Sequence, residues 1–173
     1  MRTFWCCALV LASSLCVLAT QGEAAEPRGK LRVGVYDNRA IAVAWAPSRF
    51  NPVAEKMKEM EQAKAAGDEA KQKELKAWGQ SHQRKLHRQG FGRMPVDDLL
   101  APVKDRLPEV ARKTSVDAIV WQCDYAGENV EMVDVTSELV ELFDPSPKTR
   151  KIAAEIVTKP PVDLDEIEKH HDH

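Results

Sequence analysis

A chain of 173 residues with 25 basic and 27 acidic side chains has a formal charge of −2. A surface built for a nucleic-acid backbone is basic, so this balance lends a nucleic-acid partner no support. Residues 1–25 have the makeup of a secretory signal: Arg2 near the start, an apolar core from Ala8 to Ala19 too short for a comfortable membrane span, and Ala24 and Ala25 near a cleavage point.

Removal of that signal is expected to leave about 148 residues, enough for one domain, in the periplasm or outside the cell. Cys6, Cys7 and Cys16 would leave with it. Cys123 alone remains, which excludes an internal disulfide and predicts a small half-buried thiol, with intermolecular pairing or reactivity as the other reading.

Lys30 to Tyr36 (KLRVGVY) alternates, with Leu31, Val33 and Val35 on one side, and predicts the first strand. Asp37 or Asn38 can cap a short helix over Ala40 to Trp45, which Pro47 ends. Asn51-Pro52 starts the next helix with a capping side chain and a proline at the first helical position. Val53, Met57 and Met60 mark its face. Gly67 can close that helix and Asp68 can cap another, running from Glu69 to about Arg88, with Leu75, Trp78, His82 and Leu86 on one face.

Gly90 and Gly92 break this helix, and Pro95 restarts the chain. Val96, Leu99, Leu100, Val103, Leu107, Val110 and Ala111 then recur at helical spacing. Asp97 and Asp98 fit the first turn of that segment and Arg112 and Lys113 the last. Pro102 and Pro108 divide it into two joined pieces. The expectation is a helical hairpin, coiled-coil-like arm over about 50–113, out through Pro52 to Arg88 and back through Val96 to Lys113.

Between Phe50 and Arg93 ten Lys or Arg face six Asp or Glu, a surplus of four positive charges. A basic arm on an acidic body suits anionic partners, including an anionic membrane surface, although mixed charge also suits any solvated helix. The arm is poor in large apolar residues, so it needs a surface to lean on. Met57, Met60 and Met94 are adaptable contact residues or ordinary core. Phe91, in the basic stretch Arg84 to Arg93, is either an exposed contact at the tip or tucked back into the hairpin.

Val116 to Trp121 (VDAIVW) reads as a buried strand. Asp124, Ala126, Gly127 and Asn129 supply a tight turn. Val130 to Val135 alternates, with Val130, Met132 and, by the same spacing, Asp134 opposite Glu131, Val133 and Val135. Thr136 is placed to cap the helix SELVELF.

This order of elements resembles the C-terminal half of the Skp/OmpH family of periplasmic chaperones. The matching text is Val116, Asp117, Ala118, Ile119 and Val120, then Asp134, Val135 and Thr136, with Leu139 and Val140. The resemblance implies an α+β fold over 26–143, helix-rich, with a small three-stranded sheet body. It also implies an ATP-independent holdase, trimeric, whose arms enclose unfolded outer-membrane proteins. Residues 144–173 have no counterpart in it. Ser146-Pro147 can open a helix there, and Asp163 to Glu166 a last short one.

Client or partner contact is assigned to Met57, Met60, Trp78, Lys85, Arg88 and Phe91. His170, His171 and His173 at the end of the chain are weak candidates for a metal, because a fraying terminus does not preorganise ligands; no metal or other cofactor is expected. His82 and His87 are five apart and share a helix face poorly. No Ser-His-Asp order, phosphate loop or HExxH appears, so no enzyme is expected. A non-catalytic periplasmic structural or interaction module is the second reading. A third, a ligand binder near Tyr36, Trp45 and Trp121, has no chemistry in the sequence to support it.

Overall fold

The computed structural model describes residues 29–169, so the expected signal segment over 1–25 and His170, His171 and His173 lie outside the described residues. The fold is α+β and helix-rich. Strand β1 (Leu31–Val35) lies between β2 (Ala118–Val120) and β3 (Val130–Asp134), and both neighbours run parallel to it. Residues 121–129 were expected to form a tight turn. They instead carry the chain across β1, because each later strand takes one free edge of β1 and parallel neighbours require a crossover.

The register sets Gly34 beside Ile119 and Val133, and those two side chains pack on the helical core. A Cβ on Gly34 would lie 3.0 Å from Val135 Cγ1 and 3.3 Å from the Ala118 oxygen, so the glycine admits this close approach. Leu31, Val33 and Val35 form the opposite row. There Val33 stands beside Met132, and Leu31 and Met132 are 49% and 37% exposed.

Helix α1 (Asn38–Trp45) follows β1 and is capped by Asp37, whose side chain accepts from the Arg39 amide. It is buried along nearly its whole length. Ala40, Ala42 and Ala44 keep it slim, so other helices can close around it. Its charged Arg39 is buried but satisfied, by Asp37 at 2.6 Å and the Lys159 oxygen at 2.8 Å.

Helices α2 (Val53–Ala65) and α3 (Glu69–Phe91) form the hairpin. Gly67 turns the chain with φ +68°, and Asp68 caps α3 by accepting from the Lys71 amide at 2.9 Å. The arm therefore spans 53–91 and not about 50–113. The expected return limb belongs to the body as α4 (Asp97–Leu100), a 3-10 segment (Ala101–Arg106) and α5 (Leu107–Thr114). Val96, Leu99, Leu100, Val103 and Val110 are buried there. Large aliphatic side chains follow the core, and the polar pair is left to project. Pro102 and Pro108 fall near the starts of the second and third pieces, in keeping with a divided helix.

Val135 occupies the cap position of α6 (Thr136–Glu141). The Thr136 hydroxyl, expected as that cap, instead accepts from the Asp37 amide at 3.0 Å and links the ends of β1 and β3. Helix α7 (Pro147–Ile156) is capped by Ser146. Helix α8 (Leu164–Lys169) returns to α3, where Leu164 and Ile167 close on Gly92 and the Val162 amide donates to the Phe91 oxygen at 2.9 Å. The extension thus packs on its own body.

Candidate functional site: the hairpin groove

Val53, Met57 and Met60 recur along α2, and Leu75, Trp78, His82 and Leu86 along α3. These stripes face each other and line an open groove of about 420 Å³. Ala63 and Leu75, both buried, close it toward the tip. Toward the body its floor is aromatic. The His82 ring stacks on Trp78 at 4.8 Å and meets Trp45 of α1 at 5.8 Å.

Trp45 Nε1 and His82 Nε2 are buried and have no hydrogen-bond partner among the described residues. Burial pushes the His82 pKa below the ordinary imidazole value; Lys85 adds to this and Asp98 opposes it. His82 is therefore neutral at neutral pH and acts as an aromatic wall. Met57 is 61% exposed at the rim, while Met60 and Trp78 are half-buried. The groove offers adaptable thioether and aromatic contact over an apolar floor.

Three of the six expected contact residues, Met57, Met60 and Trp78, come together here. The other three do not. Lys85 pairs with Asp98 at 2.8 Å and Arg88 with Glu168 at 3.4 Å, so both tie α3 to the body. Phe91, half exposed, lies edge-on to His87 at 5.5 Å, at the base of the hairpin rather than its tip.

The basic surplus of the arm is also partly taken up within it. Lys56 pairs with Glu59 at 2.7 Å and Lys71 with Glu74 at 2.8 Å. The Lys56 hydrogen bond holds the Glu59 carboxyl below its usual range, and Glu74 raises Lys71. Such exposed pairs contribute little stability, but they reduce the free positive charge offered to a partner.

Sequence reasoning found the α3 stripe from its spacing. It missed the contact of Trp45 with His82, because Trp45 reaches α3 from another helix. Tyr36, Trp45 and Trp121 do not share a site: Trp45 meets His82, while Tyr36 and Trp121 stand at the strand ends. Among the described residues no three His, Cys, Asp or Glu are grouped to hold a metal, and no helix is long and apolar enough to cross a membrane. Cys123, expected half-buried, is exposed, with its Sγ 3.0 Å from the Tyr125 oxygen. No family model, no curated protein and no solved structure matches this chain.

Proposed function

We propose that the protein is an exported, ATP-independent holdase whose hairpin groove binds short apolar segments of unfolded polypeptides, with outer-membrane proteins as the client class. The observation that carries this reading is the open apolar groove between α2 and α3, with Met57 on its rim and Trp78 in its wall. Thioethers and a half-buried indole suit clients of varied sequence, since neither demands a fixed geometry. A weak, nonspecific hold lets release proceed without fuel. The Skp/OmpH-like order of elements and the Asp134-Val135-Thr136 text support the same class.

Aggregation suppression with a denatured outer-membrane polypeptide tests the proposal. Met57→Asp and Trp78→Ala should each weaken suppression about tenfold while leaving the fold intact by circular dichroism. Suppression that survives both changes, or none by the unaltered protein, removes the reading.

A second reading is a non-catalytic interaction module. It is favoured by the docking of the C-terminal half of α3 on α1 and α8, which leaves only the distal hairpin clear of the body. Mass by light scattering separates the two. A trimer agrees with arms that jointly enclose a client, whereas a monomer at all concentrations favours the module.

A further inference from the structure

The carboxyl ends of the three parallel strands open into a second cavity, independent of the hairpin. It measures about 360 Å³ and has Tyr36 and Trp121 in its lining. It meets a groove of about 350 Å³ running between α6 and α7, with Asp134, Thr136 and Val157 common to both. The second groove is mainly apolar, with Ala40, Val140 and Ala153 in its lining, and the charged residues there, Glu141 and Arg150, are paired with each other at 2.6 Å. Each volume falls in the range of small-molecule sites, and the carboxyl end of a parallel sheet is where such sites form.

The polar groups here divide into committed and open ones. Asp37 is occupied by Arg39, and Arg39 also donates to Lys159. Asn38 has its amide on Gln89 and Gly92 and its oxygen on Trp121. Asp134 uses Oδ1 for the Thr136 amide, and its Oδ2 has no partner among the described residues. Arg93 lines the cavity with no hydrogen bond or ion pair among the described residues. Among the described residues, one unpaired cation and one unpaired carboxylate oxygen therefore border a single cavity without pairing to each other. Beside them lies an apolar channel.

We propose that this cleft binds a small zwitterion with an apolar side chain, an α-amino acid or a short peptide. Its carboxylate pairs with Arg93, its ammonium with Asp134 Oδ2, and its side chain enters the groove between α6 and α7. The Thr136 hydroxyl, which accepts from Asp37, keeps its proton to donate to the ligand carboxylate. The inference does not depend on the hairpin reading.

Isothermal titration calorimetry on the full chain, with leucine and alanyl-leucine as probes, tests it. Saturable binding at about 1 mM or tighter is expected for at least one of them. N-acetylleucine and leucinamide, each lacking one charge, should bind at least tenfold more weakly. Arg93→Ala and Asp134→Asn should each weaken the zwitterion at least tenfold, with unchanged thermal melting; the asparagine keeps the oxygen that accepts from Thr136. Absence of saturation with both probes, equal binding of the blocked forms, or indifference to both substitutions overturns the proposal.

Discussion

The side chain of Asn38 donates to the backbone oxygen of Gln89 at 2.8 Å, inside the body and 51 residues away in sequence. The same amide reaches the Gly92 oxygen at 3.0 Å, and Trp121 Nε1 donates back to the Asn38 oxygen at 3.2 Å. Gln89 in turn donates to the Pro95 oxygen at 3.0 Å and to Asp98 at 2.8 Å. One asparagine thus fastens the last turn of α3 to the end of the sheet. Asn38→Ala should cost about 2–4 kcal/mol, because it strands buried carbonyls and an indole N–H. Asn38→Asp should cost more, since a carboxylate would face two carbonyl oxygens. Urea unfolding midpoints check both, and a cost under about 0.5 kcal/mol for the alanine contradicts the fastening role.

Gly34 sits in the central strand where Val135 closes over it. Gly34→Ala should destabilise by about 1–3 kcal/mol through overpacking, even though alanine is the better strand residue by backbone entropy. Val135→Ala should cost about 2 kcal/mol by leaving a cavity. The double variant should be less damaged than the two changes added together, because the new methyl partly fills the space. A double-mutant cycle measures this, and simple additivity would show that Gly34 does not feel Val135.

Burial between two indoles makes His82 the group whose titration bears on the hairpin. Its pKa is lowered in the folded protein, so the unfolded chain binds the proton more readily. Its contribution is fully present above the unfolded value, about 6.5, and is lost as pH falls from there through the folded value. Lys85 reinforces the loss and Asp98 moderates it. The difference between unaltered protein and His82→Phe, followed by chemical denaturation across pH 5 to 8, should flatten above about pH 7 and shift in favour of the variant below it. A difference that does not change with pH would place the shift elsewhere.

Much of the fold was legible where the determining chemistry is local. Gly67 and Asp68 announced a helix end and a helix start, Asp37 or Asn38 a cap that Asp37 supplies, and Ser146-Pro147 the opening of α7. Leu75, Trp78, His82 and Leu86 fell on one face by spacing alone and do line one groove. What failed was placement across distance. Gly90 and Gly92 looked like a tip, yet Gly90 continues α3, and Gly92 admits Leu164, whose Cδ2 would lie 2.5 Å from an added Cβ. That contact comes from a helix more than seventy residues later, which no local pattern announces. The large aliphatics from Val96 to Val110 were assigned by spacing to the return limb of the arm, whereas they are buried in the body. Of the strand-end cleft, Tyr36 and Trp121 were named together from the sequence, but Arg93 and Asp134 were not, because the four come from separate stretches.

The position of β1 between two strands that come much later has a temporal consequence. Its Arg32 amide waits for Asp117, 85 residues on, and its following Asp37 amide for Thr136, 99 residues on. The hairpin needs only the three residues at its tip to meet its partner, so it forms from neighbouring chain while the sheet is still one lone strand. Pulsed amide exchange should find α2 and α3 protected before β1. A protein made from its N-terminus therefore carries its first strand with both sides unclaimed until residues 118–120 are made, and the sheet is complete only when residues 130–134 follow.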